Sequence, residues 1–198
     1  MHQGSSSYRF QTAADAPYLV TMTWGIGSQT SGALLDWLFG PVFLRFPQLK
    51  ICLSEGGIGW MPYFLERATQ VVDKQRFWAS QGERPVKDGT LVRGASAIAP
   101  PSENDPRNLD IRKSFKDHVY GCFIEDEAGL NNIQFIGIDN VMIETDYPHS
   151  DSTWPNSIAT AHKQLARFSD EDKYKILRGN AEQLFSFTPA APPVLAGS

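Results

Sequence analysis

The chain is poor in the features that most simply assign a function. It has two cysteines, Cys52 and Cys122, each inside an apolar, strand-like run, so the pair reads as buried, reduced thiols of a cytoplasmic protein. It lacks Cys-x-x-Cys and His-Glu-x-x-His, which removes the common zinc patterns. Gly25-Ile26-Gly27 is followed by no third glycine at the right place, so a dinucleotide fingerprint is not supported, and Ser28 and Ser54 lack a nucleophile-elbow context. Positive charge is not in excess: 18 Lys and Arg stand against 22 Asp and Glu, a net charge of −4, which excludes a basic footprint for nucleic acid and a polybasic membrane patch. No apolar run approaches the ~20 residues of a membrane span, and residues 1–20 carry no signal-peptide core.

What is present is an ordinary soluble balance, 41% hydrophobic and 20% charged over 198 residues, enough for one domain with a real core. Pro17 to Trp24 reads as an extended segment or a short helix, punctuated by Gly25, Gly27 and Gly32. Helical spacing of Leu34, Leu35, Leu38, Phe39, Val42, Phe43 and Phe46 predicts a helix over 33–46, kinked or restarted at Pro41. Leu49–Leu53 is a short strand, and a clear amphipathic helix runs from Gly59 to about Ser80. Between Gln81 and Ile111 the pattern dissolves, which predicts a long loop or lid at about 82–111. A helical turn over 112–117, a strand over 118–123, a helix over 126–136 and a strand over 140–145 follow. The chain then reads as a helix over 154–168 with Ile158, Ala161, Leu165 and Phe168 on one side, and an acidic helix start capped by Ser169. A break at Gly179 precedes a last turn capped by Asn180, and the Pro/Ala tail, 189–198, is expected to be disordered. Strands alternating with helices predict an α/β fold with a parallel sheet.

The stretch that concentrates chemistry is Val141 to Asp151, an apolar strand that opens into Glu144, Asp146, His149, Ser150 and Asp151. In parallel α/β folds the C-terminal strand ends share one face, so Glu55, Glu125 with Asp126, and Asp146 with His149 are candidates to converge there. Paired carboxylates suit general acid/base work or a divalent ion. Each has a plainer reading: Glu55 as a helix cap, Asp146 as a turn residue before Pro148, and His149 as a solvated loop residue, otherwise a general acid/base. His118 and His162 read as structural or surface residues, and Asp151 as the N-cap of the helix at Trp154.

Four segments together resemble the amidohydrolase-related family of the amidohydrolase superfamily. They are Phe46-Pro47-Gln48-Leu49-Lys50-Ile51; Leu53-Ser54-Glu55-Gly56-Gly57-Ile58-Gly59-Trp60; Glu144-Thr145-Asp146-Tyr147-Pro148-His149-Ser150-Asp151; and Gly179-Asn180-Ala181-Glu182-Gln183-Leu184-Phe185. The resemblance implies a metal-dependent TIM-barrel hydrolase or decarboxylase acting on a small carboxylate, amide or ester. It implies that Asp146 matches the family's eighth-strand metal ligand, that His2 matches the fifth-strand histidine, and that Glu55 occupies the place of the sixth-strand histidine. Asp146, His149 and Glu55 would then be catalytic; His2, Glu55 and Asp146 would bind the metal, with zinc first and manganese or iron as alternatives. Tyr147 and Trp154 would line the substrate pocket. The family's first-strand ligands have no counterpart here, so the chain is expected to be the C-terminal half of a (β/α)8 barrel over 1–188. Such a half-barrel would expose sheet edges and an apolar inner face, and is expected to associate or to be only marginally stable; the alternative to an enzyme is a catalytically inactive truncated half-barrel, a fold remnant or component of an assembly.

Overall fold

The computed structural model of the protein describes residues 12–75, 83–85, 91–93 and 110–190. Its first element is α1 (Tyr18–Phe39), one continuous helix where the sequence suggested a short segment and a later helix. The glycines at 25, 27 and 32 do not interrupt it. Hydroxyls along its length bond back to the preceding turn, Thr23 to the Leu19 carbonyl at 2.8 Å and Ser31 to that of Ser28 at 3.0 Å. Leu34 and Leu38 anchor its C-terminal half at 0% and 1% exposure. Pro41 starts a fresh turn, α2 (Val42–Arg45), instead of kinking a single helix.

β1 (Ile51–Leu53) leads through a turn into α3 (Met61–Gln75), where Met61, Leu65, Ala68 and Val72 form the buried stripe. The long loop expected at 82–111 contains an antiparallel pair, β2 (Glu83–Pro85) and β3 (Leu91–Arg93). α4 (Ile111–His118) starts at Asp110, whose carboxylate accepts the Lys113 amide at 3.0 Å, and runs to His118, which the sequence had placed in the next strand. β4 (Val119–Phe123) is followed by α5 (Glu127–Asn131) and α6 (Ile133–Ile136). Gly137, at φ 107°, stops α6 in a conformation that a side chain would resist, and a 3-10 turn (Ile138–Asn140) delivers β5 (Val141–Ile143).

The helix expected over 154–168 is shorter, α7 (Ser157–Gln164). Its N-cap is Asn156, so Asp151 does not cap it, and Ile158 is 72% exposed while Ala161 and Leu165 face the core. Ser169 caps α8 (Asp170–Tyr174) as expected, accepting the Asp172 amide at 3.1 Å. The backbone then continues through a π turn (Lys175–Gly179) into α9 (Asn180–Phe185), without the break predicted at Gly179. Of the tail, 191–198 lies outside the described residues.

β1, β4 and β5 form one parallel sheet in the order β1-β4-β5, with Ile51 opposite Val119 and Gly121 opposite Val141. This is the α/β arrangement the alternation of elements requires. Leu53, Ile58, Met61, Phe115, Phe123, Ile136 and Val141 make the core between sheet and helices, each at 1% exposure or less. Each such side chain contributes about 1.5–3 kcal/mol of apolar burial. Gly121 leaves room for its neighbours, because a Cβ there would lie 2.6 Å from Met61 Cε and 2.8 Å from Ile58 Cγ2 and force them to shift.

Three polar side chains close the N-terminal end of the sheet. Asn140 donates to the carbonyls of Lys116 (2.9 Å) and Val119 (2.8 Å), at the start of β4. Asn180, 3% exposed, donates to those of Ile138 and Val141, both at 2.8 Å, at the start of β5. It is a clamp between α9 and the sheet, not the helix cap the sequence suggested. His118 bonds the Leu49 carbonyl through Nδ1 at 2.7 Å and stacks on Phe43 at 4.3 Å, which bears out its structural reading. These bonds give carbonyls at this end of the sheet side-chain donors, those of Val119 and Val141 in buried positions.

Candidate metal centre

The opposite end of the sheet is acidic. β1 exits through Ser54 into Glu55, and β5 exits through Glu144 and Thr145 into Asp146. Both Glu55 (φ 58°) and Asp146 (φ 51°) have left-handed backbones, a conformation that non-glycine residues adopt at a cost and that concentrates at functional sites. The Asp146 carbonyl accepts the His149 amide at 2.8 Å, closing a turn that brings the imidazole back over the carboxylates. Asp146 is therefore a turn residue that also belongs to the candidate site.

The result is a three-residue cluster. Ligand atoms of Glu55, Asp146 and His149 all lie within 4.8 Å of one another. His149 Nδ1 is 3.0 Å from Asp146 Oδ1 and 4.0 Å from Glu55 Oε1. The two carboxylate side chains are each only 11% exposed, whereas the imidazole is 64% exposed. Two carboxylates withdrawn from water beside each other repel, and a cation between them relieves that repulsion. Carboxylate oxygens are donors that zinc and manganese accept, so Glu55 and Asp146 fit a divalent ion, with the His149 imidazole beside them.

Glu144 supports this cluster from below, a role the sequence did not reveal. Its carboxylate accepts the Ser54 hydroxyl at 2.8 Å and the Glu55 amide at 2.5 Å, so it fixes the turn that carries Glu55. Burial pushes the Glu144 carboxyl above its ordinary range; the two hydrogen bonds oppose that shift, and the charges of Glu55 and Asp146 reinforce it. The available signal was an acid at the end of an apolar strand, two residues before Asp146. Its partners are 89 and 90 residues away, beyond the reach of local pattern.

The third strand exit serves structure. Asp126 Oδ2 accepts the amides of Ile58 (2.6 Å) and Gly59 (2.7 Å), and Oδ1 accepts that of Gly129 at 2.8 Å as the N-cap of α5. It pins the turn after β1 to β4, while Glu125 is exposed. Tyr147 and Trp154 pack edge to face at 5.2 Å on the loop that carries His149, and both are more than 60% exposed. His162 is exposed on α7. His2 lies outside the described residues. No helix among the described residues is long and apolar enough to cross a membrane.

Known proteins match both the sequence and the fold. A curated relative is the 2-amino-3-carboxymuconate-6-semialdehyde decarboxylase of Dictyostelium discoideum, 27% identical over 176 residues, which covers 87% of this chain and 40% of that protein. Among solved structures, an amidohydrolase from Mycobacterium avium subsp. paratuberculosis K-10 superposes with a TM-score of 0.62 at 18% identity, over 84% of this chain and 35% of that one. The chain thus spans less than half the length of either. The Amidohydrolase family profile matches residues 6–187, nearly the whole sequence, and the chain belongs to that family.

Proposed function

We propose that the protein is a metal-dependent hydrolase or decarboxylase of a small carboxylate, amide or ester, with its site at the C-terminal end of the β1-β4-β5 sheet. The observation that carries the proposal is the convergence of Glu55, Asp146 and His149 from two strand exits within 4.8 Å. Glu55 and Asp146 would hold a divalent ion, zinc before manganese or iron, together with His2 in the role the family gives the fifth-strand histidine. A divalent ion in such a site supplies Lewis-acid polarisation of a substrate oxygen and lowers the pKa of water toward neutrality.

The chain's own residues do the rest. Asp146 accepts a proton, and His149, hydrogen-bonded to it and open to solvent, carries that proton away. Glu55 acts as ligand or base. Glu144 keeps the Glu55 turn in place through Ser54 and the Glu55 amide. Tyr147 and Trp154 form an aromatic wall for the substrate. The sheet corresponds to the second half of a (β/α)8 barrel, and self-association is part of this reading: Tyr18, Leu19, Met22 and Trp24 on α1 are all more than 40% exposed.

The test is turnover of a panel of small carboxylates, amides and esters, followed as product or carbon dioxide. Chelator-sensitive turnover restored by zinc or manganese and lost in Asp146→Ala supports the proposal. A second reading, an inactive fold component, is favoured by the open three-stranded parallel sheet among the described residues. It predicts no turnover under any metal condition, in any oligomeric state seen by sedimentation.

A further inference from the structure

The two cysteines of the chain meet beneath the acidic cluster. Cys52 lies in β1 and Cys122 in β4, on neighbouring parallel strands. Ile51, Leu53, Val119 and Phe123 point into the core under the helices. Strand alternation therefore turns both cysteines to the other face of the sheet, the one that continues into Ser54. On β5, Met142 is paired with Cys122, and Glu144 follows two residues later on the same face. The two sulfurs are 3.0 Å apart and share a thiol hydrogen bond. Cys122 is 5% exposed and Cys52 is half-buried, so Cys52 is the more accessible of the two.

We propose that Cys52 and Cys122 form an oxidisable dithiol, which a hydroperoxide converts to an intramolecular disulfide and a thiol reductant restores. A disulfide requires sulfurs about 2.05 Å apart, so the 3.0 Å separation has to shorten by about 1 Å, with the two residues diagonal to each other across the strands. The asymmetry of the pair orders the steps. The hydrogen bond from Cys122 holds the Cys52 thiol below its ordinary range, whereas the same bond and burial push the Cys122 thiol up. Cys52 sulfur, as thiolate, attacks one oxygen of the hydroperoxide. The O–O bond breaks, Cys52 becomes a sulfenic acid, and the other oxygen leaves as hydroxide or alkoxide and takes up a proton. Cys122 sulfur then attacks the sulfenic sulfur, the S–O bond breaks, and that oxygen leaves as water with the Cys122 proton. The two thiols lose two electrons in all, and the peroxide gains them.

The proposal does not depend on a bound metal, so it is tested on chelator-treated, fully reduced protein. The protein is exposed to equimolar hydrogen peroxide, then alkylated under denaturing conditions and digested without reduction. The expected result is simultaneous loss of both alkylatable thiols, a monomer lighter by two hydrogens, and a peptide linking Cys52 to Cys122 that dithiothreitol separates. Since the chain has no other cysteine, an intrachain disulfide can be only this one. Cys122→Ser should stop at the sulfenic acid, trapped by dimedone on Cys52, and Cys52→Ser should leave Cys122 unreacted. Full alkylation of both thiols after excess peroxide would overturn the proposal. So would over-oxidation of Cys52 with Cys122 still a thiol, or linkage found only between chains. The wild-type readout stands even where a variant fails to fold.

Discussion

The two ends of the parallel sheet use polar residues in opposite ways. At the N-terminal end, Asn140, Asn180 and His118 donate to backbone carbonyls, are buried, and leave no charge exposed. At the C-terminal end, Glu55, Glu144 and Asp146 are gathered with their charges side by side, two of them on left-handed backbones, beneath an exposed histidine. The first arrangement lowers the free energy of the fold. The second brings like charges together on left-handed backbones, an arrangement that a bound cation would relieve. Polar groups near a sheet are thus not of one kind: those that satisfy the backbone are structural, and those that crowd like charges are the candidates for chemistry.

Substitutions at the two ends should separate cleanly. The largest effect is expected from Asp146→Ala, which should weaken divalent-metal binding by more than about 100-fold in a calorimetric titration, because a ligand matters more than its supports. Without metal, Asp146→Gly, free of the left-handed strain, should have a higher thermal midpoint than Asp146→Ala. Asn180→Ala should do the reverse. It removes the side-chain donor from one buried and one part-buried carbonyl and should cost about 2–4 kcal/mol in urea unfolding, with metal stoichiometry unchanged. A loss of metal in Asn180→Ala with unchanged stability would break the distinction.

Glu144→Gln is predicted to weaken metal binding by about 10-fold, as a supporting residue does, with far smaller change on unfolding. It also carries the smallest effect, a pH signature. Because burial raises the Glu144 carboxyl in the folded state, the unfolded chain releases this proton first as pH rises. Metal-free protein should therefore lose stability as pH climbs from the unfolded value near 4.5 through the raised folded one, and lose no more from this group above it. The slope should be absent in Glu144→Gln; an identical pH profile would show that Glu144 is not the group responsible.

The parallel strands were legible because Ile51–Leu53, Val119–Phe123 and Val141–Ile143 are short apolar runs ended by turn or polar residues, a local signal. Glu55, Asp146 and His149 were legible as candidates because parallel topology sends strand exits to one face. Other features depend on distant partners. Asn180 looks like a helix cap until Val141, 39 residues away, offers its carbonyl. Glu144 has no visible role until Ser54 and Glu55 are folded against it. The glycines of α1 argued for interruption, and the packing of Leu34 and Leu38 outweighed a helix penalty of about 1 kcal/mol per glycine. Ile158 fitted a helical stripe by spacing, yet α7 starts later than expected and turns that residue to solvent.

The most direct test is the metal stoichiometry of the purified chain after reconstitution with zinc or manganese and removal of excess, compared between the native sequence and Asp146→Ala at equal thermal stability. The account predicts one tightly held divalent ion per site in the native protein and none in the variant. No retained metal in the native chain, or equal metal in both proteins, would contradict it.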